Sequence, residues 1–449
     1  MGATITGRRL RSAFAPGRRE LVGLEVESAV LDLATGRAAP YEGPRGVKAI
    51  LEIALAETGG RPLCEGPHLT GVELPDGACL SLEHGGQLEY SSNPVASVGE
   101  AVDRLRLAMR DLAGVLDRFG LGLVPGGFVP FDGVDTISWV PIGRGDVMRS
   151  YFTGLGEAGS DGPKILGLST STQVHLDFVS EADFTRKLRM LAVASPVVAA
   201  LFVNSPLAGR RLDGVLSHRS LAWLRTDPAR CGVLRPALRP DVSLDDLVEW
   251  ALTLPMVYRV DEAGRFRCVP DRPFGSLIRD GFDDGTAPTL DDWNYHLSQI
   301  WTHIRVRHTL ELRAADGPPH PYVPAFVALW VGLTYHAPSR EAAWQLLGGR
   351  PPEDYETATA ELPHKGLRTM LGDDRVSDLA AELVRLARQG LQARVDDGVE
   401  PPDVPGHLDP LDEILATGET FAERCAHRWQ HEFRCDPMRY VDAYRVPTE

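Results

Sequence analysis

Acidic side chains recur at alternate positions on segments that otherwise resemble apolar strands. Glu25 and Glu27 lie in GLEVES, and Glu83 and Glu89 flank the Gly85–Gly86 pair of SLEHGGQLEYS. Residues two apart on a strand point to the same face, and a hairpin around the two glycines could bring its acids onto one face as well. Carboxylates gathered in this way repel each other unless cations lie between them, and Mg²⁺ binds such oxygen ligands together with phosphate. The pattern therefore predicts a Mg²⁺ site on a sheet.

Two later segments carry polar groups with the same spacing. Gln173 lies in TSTQVHLDF (170–178), followed at alternate positions by a histidine and an aspartate, and Glu311 and Arg313 lie in IRVRHTLELR (304–313). One alternating pair is common on a solvated sheet face. Repetition over four segments favours a functional face instead.

Arginines form the second chemical signal, because planar guanidinium groups bind carboxylates and phosphates through two hydrogen bonds at once. They are Arg144 and Arg149 in GRGDVMRSY, Arg219 in SHRSLAW with Arg230 shortly after it, and Arg305, Arg307 and Arg313 around the last strand. Neither a GxxxxGK[ST] loop nor a GxGxxG turn after a strand occurs. If a nucleotide binds, metal-bridged carboxylates and arginines must therefore hold it.

The elements that position these groups follow from hydrophobic periodicity. Strands are predicted at 21–31, 78–91 (two strands), 170–178 and 304–313. Helices are predicted at 46–58, 97–119, 181–203, 289–304, 321–335, 339–347, 353–361, 375–394 and 410–432. We expect one catalytic domain over residues 1–449, with the sheet and active site in about 20–320 and a mostly helical part in about 321–449.

Composition limits the partners. With 47 Lys and Arg against 62 Asp and Glu, the net charge is −15, which argues against nucleic-acid binding. No apolar run reaches 18 residues, so no membrane span is expected. The six cysteines are dispersed and form no CxxC pair, which predicts a cytoplasmic protein. No apolar stretch follows the paired arginines near the N-terminus, so we expect no signal peptide. The opening MGATIT matches a loose myristoylation pattern that we attribute to chance.

Taken together, the motifs resemble a known family. The matching segments, in order, are GLEVES, SLEHGGQLEYSS, RGDVMRSYF, STQVHLDFVSEADFTRKLR, LFVNSP, SHRSLAW, LDDWNYHLSQIW and LELRAADGPP. They resemble segments of the plant-type glutamate–cysteine ligases, which also occur in bacteria. The order and spacing agree with that family from about residue 20 to 390. The resemblance implies an α+β fold similar to that of glutamine synthetase. Its curved, mostly antiparallel sheet would carry the active site on the concave face, with helices behind and a helical C-terminal part.

The resemblance also implies roles for individual residues. The expected metal-binding acids are Glu25, Glu27, Glu83, Glu89 and Glu311. Arg313 and Arg305 would bind the nucleotide phosphates, and Arg313 and Arg219 would be catalytic. The expected substrate-binding residues are Arg144, Arg149, Gln173, Arg219 and Trp223.

The implied reaction uses ATP and two or three Mg²⁺ ions to convert the glutamate γ-carboxylate to an acyl phosphate, which the amine of cysteine then attacks. The product would feed glutathione or ergothioneine biosynthesis. The substrates would be glutamate, cysteine (or another amine) and ATP, with no nucleic acid or membrane involved. The sequence is compatible with a homodimer.

Two alternatives stay open because this chain departs from the usual family pattern around the site. Val26 replaces a histidine, His84 replaces a proline before the two glycines, and His175 replaces an asparagine. These changes bear on the acceptor, so a γ-glutamyl ligase using another amine is the first alternative. An inactive regulatory homologue is the second, and the retained carboxylates argue against it.

Overall fold

Apolar and polar side chains alternate along the longest strand of the structure and fix which of its faces is buried. The computed structural model describes residues 7–269 and 271–448, so the myristoylation match lies outside the described residues. Val22, Leu24 and Val26 are buried in the hydrophobic core. Glu25 and Glu27 point to the opposite face, as the period of two requires. That opposite face carries the candidate site.

The strands are listed here with the bounds used below: β1 (Val22–Asp32), β2 (Arg61–Glu65), β3 (His68–Glu73), β4 (Cys79–Leu82), β5 (Leu88–Ser91), β6 (Leu121–Pro125), β7 (Thr172–Leu176), β8 (Cys231–Gly232), β9 (Tyr258–Val260), β10 (Phe266–Cys268), β11 (Trp301–Thr302), β12 (Ile304–Val306), β13 (Leu310–Leu312), β14 (Met370–Leu371) and β15 (Asp374–Arg375).

The α-helices follow: α1 (Gly7–Arg11), α2 (Val47–Thr58), α3 (Val98–Asp117), α4 (Gly143–Gly154), α5 (Gly162–Leu168), α6 (Glu181–Leu201), α7 (His218–Trp223), α8 (Leu244–Thr253), α9 (Phe274–Asp280), α10 (Leu290–Ser298), α11 (Val323–Tyr335), α12 (Ala337–Leu347), α13 (Pro352–Lys365), α14 (Val376–Asp396), α15 (Asp409–Thr417), α16 (Phe421–His431) and α17 (Pro437–Tyr444).

One large sheet has the strand order β12-β13-β7-β1-β5-β4-β3-β2, and β6 pairs with the second half of β1. Its neighbouring strands are all antiparallel. This architecture of helices and a large antiparallel sheet confirms the predicted fold class.

Helices cover the apolar face of the sheet. Every residue of α11 is buried, and α11 contacts β7, while α6 contacts β12 and β13. Ser180 caps the N-terminus of α6, and its hydroxyl accepts a hydrogen bond from the Asp183 N–H at 3.1 Å. The wholly buried Lys187 of α6 lies 2.6 Å from Glu20 and 2.7 Å from Asp183. These ion pairs keep that charge compensated behind the sheet.

Two glycines allow α11 and α14 to pack closely. A Cβ atom at Gly332 would lie 2.3 Å from the carbonyl oxygen of Ala387, and one at Gly390 would lie 2.0 Å from the carbonyl oxygen of Gly332. Only residues without a side chain fit at this distance. None of the helices in the described part of the chain is both long and apolar enough to cross a membrane.

Three predicted boundaries are wrong. The single strand expected over 304–313 is a hairpin of β12 and β13, whose turn contains neither glycine nor proline to signal it. The helix expected over 289–304 ends at Ser298. The helix expected over 410–432 is two helices, because Gly418 ends α15 in the left-handed conformation at φ 72°.

Candidate active site

Strand register brings the predicted polar residues into rows across the exposed face of the sheet. Glu27 of β1 lies directly opposite Glu89 of β5. Glu25 is paired with Ser91 on one side and with Gln173 of β7 on the other. These are the positions at which sequence alternation placed polar side chains.

The remaining rows lie toward the edge of the sheet. Glu311 of β13 is opposite both His175 of β7 and Arg305 of β12. The hairpin therefore brings Arg305 beside Glu311 across two strands. A continuous strand would instead have kept these two residues six positions apart.

A tight glycine turn holds Glu83 near the other acids. Gly86 has a φ of 85°, and a Cβ atom at Gly85 would lie 2.0 Å from the carbonyl oxygen of Gly167. That carbonyl accepts a hydrogen bond from Gln87 Nε2 at 2.7 Å. The Gly-Gly pair is thus required for the close approach of the turn to the end of α5.

Glu27, Glu83 and Glu89 form an acid cluster in which one carboxylate oxygen of each lies within 4.8 Å of the others. Gln173 Nε2 donates to Glu27 at 3.0 Å, and the hydroxyls of Ser81 and Ser91 each donate to Glu89 at 3.0 Å. These neutral donors orient the carboxylates and leave their negative charge uncompensated.

The electrostatics of the acid cluster follow from burial and mutual repulsion. Burial, with the neighbouring Glu83, raises the pKa of Glu27 to about 8. Burial and repulsion from Glu25, Glu83 and Glu27 raise the pKa of Glu89 well above its usual value. Hard oxygen ligands that repel one another in this way fit Mg²⁺, whose charge would remove the repulsion.

Glu25 has a different partner. Its Oε1 lies 2.9 Å from Nε2 of His175. Burial, the largest single effect, lowers the pKa of His175, but the charges of Glu25 and Glu311 and the close contact with Glu25 together outweigh it, and the net shift is upward. The protonated imidazole is therefore favoured beside the acids.

Glu311, in contrast, is fully compensated by arginine. Its two oxygens lie 2.8 Å from Arg305 Nε and 3.0 Å from Arg313 Nη1. Burial alone would raise the pKa of Glu311, but the two guanidinium groups lower it to about 2. The exposed face therefore has an acidic side around Glu27 and a basic side around Glu311.

The structure places the predicted substrate-binding arginines unequally. Arg144 lines the cavity above the acid cluster. The buried Arg219 donates to three backbone carbonyls that follow β13, those of residues 313, 314 and 315, at 2.9–3.3 Å. Arg149 pairs with Asp146, and its guanidinium lies 4.2 Å from the ring centre of Trp139. Arg219 and Arg149 lie outside the cavity lining.

The acid cavity has a volume of about 270 Å³. Of the predicted site residues, its lining contains Glu25, Glu27, Glu83, Glu89, Arg144, Gln173, Trp223, Arg305 and Arg313. Glu311 lies beneath Arg305 and Arg313, the two arginines that border the cavity.

Sequence reasoning did not assign several other lining residues, among them His84, Tyr258, Ser298, Trp301 and Arg307. His84 is 3% exposed. Burial and the nearby Arg144 hold its pKa well below the usual value, so it faces the cavity as a neutral imidazole. Its position beside Glu83 was the available signal, because the residue next to a predicted metal ligand in a tight turn is expected to lie near the same cavity.

Comparisons with known proteins agree with this geometry. The sequence profile of glutamate–cysteine ligase family 2 (GCS2) matches residues 21–437. The chloroplastic glutamate–cysteine ligase of Nicotiana tabacum is 30% identical over 409 residues, covering 90% of this chain and 75% of the relative. Glutamate–cysteine ligase B, chloroplastic, of Oryza sativa subsp. japonica is 33% identical over 370 residues, covering 80% and 71%.

A solved structure shares the fold. Glutamate–cysteine ligase from Francisella tularensis in complex with AMP is 13% identical, with a TM-score of 0.55 over 96% of this chain and 91% of that one. At this identity the likeness concerns the fold alone.

The expected cytoplasmic location is wrong by these comparisons, because the plant relatives are named as chloroplastic enzymes. The expectation rested on dispersed cysteines, which indicate a reducing environment without specifying the compartment. Sheet, site and sequence profile nevertheless agree on the family. The chain belongs to glutamate–cysteine ligase family 2 and is a ligase.

Proposed function

We propose that the protein uses ATP to join the γ-carboxylate of glutamate to the amine of cysteine, through a γ-glutamyl phosphate. The observation that carries the proposal is the acid cluster of Glu27, Glu83 and Glu89 in one cavity with Arg305 and Arg313. Carboxylates of this kind suit Mg²⁺, and arginines suit the oxygens of a phosphoryl group during transfer. Membership of the family supports the choice of both amino acids.

The acids would bind the metal ions. Glu25, Glu27, Glu83 and Glu89 line the cavity and would hold two or three Mg²⁺ ions. Each oxygen of Glu311 faces one arginine and retains a second lone pair, so this carboxylate can also contribute a ligand. Bound Mg²⁺ supplies charge neutralisation for the triphosphate and for the phosphoryl group in transfer.

The arginines would act on the phosphoryl group and on the substrate. Arg313 and Arg305 border the cavity and stabilise negative charge as the γ-phosphoryl group moves to the glutamate carboxylate. Arg144, Gln173 and Trp223 line the same cavity and would position glutamate and the amine. The amine then attacks the acyl carbon, a C–N bond forms, phosphate leaves and the amine loses a proton.

Arg219 would act on this chemistry through the backbone. Its three carbonyl contacts fix the chain immediately after β13, so they fix the direction of Arg313. Arg149 packs on Trp139 and would hold α4, which carries Arg144. Both arginines thereby serve substrate binding as positioning residues.

The experiment that tests the proposal is ADP release with Mg²⁺, ATP and glutamate against a panel of amines that includes cysteine. We expect turnover with cysteine to exceed that with the other amines, and Glu89→Gln to abolish it. Glu73→Gln, on the exposed part of β3, is the matched control and should stay active. Faster turnover with another amine would identify that amine as the acceptor instead of cysteine. No turnover with glutamate and any amine would favour a regulatory homologue.

Three wider assignments belong to the same proposal. The product would enter the biosynthesis of a low-molecular-weight thiol such as glutathione. Residues 1–449 would act as one catalytic domain, which the shared core from Leu10 to Val446 supports. A homodimer stays a prediction that light scattering on the purified protein tests.

A further inference from the structure

Asp316 is a buried acid that the proposed mechanism does not use. It follows shortly after Arg313 and is 1% exposed. One of its carboxylate oxygens accepts from the hydroxyl of Ser205 at 2.7 Å and from the backbone N–H of Asn204 at 2.8 Å. The other oxygen accepts from the hydroxyl of Ser217 at 2.9 Å. Donors from two other segments of the chain therefore converge on this carboxylate.

These donors lie at the ends of two helices. Asn204 and Ser205 follow α6, and Ser217 is the N-cap of α7, where its hydroxyl also accepts from the Ser220 N–H at 3.0 Å. The side-chain amide of Asn204 donates to the carbonyl of Gly317 at 2.8 Å. The chain after β13 is thus tied to the C-terminal end of α6 and to the first turn of α7.

Close backbone packing holds Asp316 from a third direction. A Cβ atom at Gly127 would lie 2.5 Å from Cγ of Asp316, and one at Gly317 would lie 2.6 Å from the carbonyl oxygen of Gly126. The first two of these segments meet because Gly126 and Gly127 follow β6, which pairs with β1. A side chain at either glycine would displace one of the segments. The carboxylate is therefore enclosed by β6 as well as by the two helices.

Arg219 closes a loop between α7 and the same segment. Its guanidinium donates to the carbonyls of residues 313, 314 and 315, and its backbone N–H donates to the hydroxyl of Ser205 at 3.3 Å. Ser205 thereby joins Arg219 to Asp316. The chain from Arg313 to Asp316 is bound through its carbonyls on one side and through a carboxylate on the other, so it cannot rotate without breaking both sets of hydrogen bonds.

The charges of Asp316 and Arg219 compensate each other across this loop. Burial lowers the pKa of Arg219, and the charge of Asp316 is the largest effect that opposes it. Burial raises the pKa of Asp316, and the charge of Arg219 is again the largest opposing effect. Removing the carboxylate would therefore leave the buried guanidinium without its main counter-charge.

The loop leads directly to the group that borders the acid cavity. The guanidinium of Arg313 lines that cavity, lies 3.0 Å from Glu311, and has its central carbon 5.5 Å from the ring centre of Trp223. Trp223 belongs to α7, whose first turn Asp316 binds through Ser217. Asp316 therefore acts on both sides of this contact, on the backbone that carries Arg313 and on the helix that carries the tryptophan.

We propose that Asp316 is a positioning residue for phosphoryl transfer, which holds Arg313 and α7 in their direction at the acid cavity before the substrates bind. The inference rests on the proposed ATP-dependent ligation. Preorganised charge stabilises a transition state because it needs no rearrangement at the moment of reaction. A small displacement of Arg313 should therefore slow transfer more than it weakens substrate binding, to which the other cavity residues also contribute.

Steady-state kinetics of ADP release with Mg²⁺, ATP, glutamate and the fastest amine of the panel test this role. Asp316→Asn keeps the shape of the side chain and removes its charge. We expect kcat to fall about ten- to hundredfold, with the KM values for glutamate and ATP within about threefold. Asp292→Asn is the matched control, because Asp292 is 7% exposed and accepts from the N–H and hydroxyl of Thr289 at the start of α10. It should keep the kcat of the wild type.

A double-mutant cycle separates positioning from folding. If Asp316 acts through Arg313, Asp316→Asn should lower kcat by less than about threefold in an Arg313→Lys background, because the planar guanidinium that it directs is gone. An effect on folding alone would lower the active fraction by the same factor in both backgrounds. Ser205→Ala is the second variant. It removes one donor, keeps the charge of Asp316, and should lower kcat about three- to tenfold when Arg313 is present.

An unchanged kcat in folded Asp316→Asn would overturn the positioning role, as would an unchanged kcat in Ser205→Ala if Asp316→Asn does not fold. A fall of equal size with and without Arg313 would overturn it too. In each of these cases turnover by the wild-type protein shows that the proposed ligation survives. Absence of turnover in the wild-type protein would overturn the proposed function together with this inference.

Discussion

Glu27 and Glu89 lie directly opposite each other on β1 and β5, with a carboxylate oxygen of each within 4.8 Å of the other and of Glu83. Their described hydrogen-bond donors are neutral side chains of glutamine and serine. Glu311 on the same face lies between two guanidinium groups. The first two acids therefore destabilise the fold without a metal ion, and Glu311 does not.

The first prediction concerns Glu27→Gln in the metal-free protein. The folded pKa of Glu27 is raised from 4.5 to about 8. Its favourable contribution is complete below pH 4.5 and is lost as pH rises to about 8, because the unfolded chain ionises first. Glu27→Gln should remove this loss and raise the unfolding free energy at pH 8 by up to about 4 kcal/mol, given about 1.4 kcal/mol for each pKa unit between 4.5 and about 8.

Thermal melting between pH 5 and 9, with EDTA or with Mg²⁺, measures this effect. Mg²⁺ should raise the melting temperature of the wild type and raise that of Glu27→Gln much less. Glu52→Gln, on the exposed side of α2, should behave as the wild type does. Equal Mg²⁺ responses in wild type and Glu27→Gln would remove Glu27 from the metal site.

The second prediction concerns Glu311→Gln. The substitution leaves Arg305 and Arg313 without their carboxylate in a buried setting, which typically costs about 3–5 kcal/mol. Turnover should fall by about a hundredfold or more, because the direction of Arg313 is lost as well. Urea unfolding and steady-state kinetics, both well below the melting temperature, measure the two effects separately.

Glu361→Gln removes a half-exposed partner of Lys365 on α13 and serves as the control for the second prediction. It should change the unfolding free energy by less than about 0.5 kcal/mol. If Glu311→Gln were as stable as this control, the ion pairs of Glu311 would not hold the basic side together.

The third prediction concerns the contact between α11 and α14. Gly332→Ala places a methyl group 2.3 Å from the carbonyl oxygen of Ala387, and we expect the unfolding free energy to fall by about 2–3 kcal/mol. The methyl group added by Gly114→Ala on α3 would meet no atom within 4 Å. This substitution should raise the unfolding free energy by about 0.5–1 kcal/mol. Chemical denaturation of both glycine variants measures the two changes in unfolding free energy. Similar changes would contradict the close approach of α11 and α14.

The fourth prediction concerns thiol reactivity. Cys64, Cys268 and Cys435 are exposed free thiols. Burial raises the pKa of Cys231 far above its ordinary value and raises that of Cys425 to about 12. Because the thiolate is the reactive form, iodoacetamide should label the three exposed cysteines first and Cys425 only after denaturation. Mass spectrometry after timed labelling checks the order, and early labelling of Cys425 would contradict it.

Much of the fold followed from periodicity, because alternation and helical spacing reflect burial directly. β1, α3 and α6 lie within a few residues of their predicted bounds. The turn between β12 and β13 could not be found in this way. Arg307-His308-Thr309 has no turn residue, and continuous alternation through it agrees with one strand or with two.

The candidate site was predictable where strand register alone determines position. Alternation placed Glu25 and Glu27 on one face, and the structure brings Glu83 and Glu89 to the same cavity. The partners of an arginine, however, depend on the tertiary fold. Nothing local to Arg219 indicates that its guanidinium is occupied by the carbonyls after β13.

The division of the exposed face into an acidic and a basic side has a consequence for ligand orientation. A rigid ligand that carries cations near one end and anions near the other gains electrostatic energy in one direction and loses it when reversed. Shape complementarity is not needed for this choice. In the proposed reaction, a metal–polyphosphate would therefore lie with its metal end toward Glu27 and its phosphate end toward Glu311, so the exposed face would set the direction in which the phosphoryl group moves.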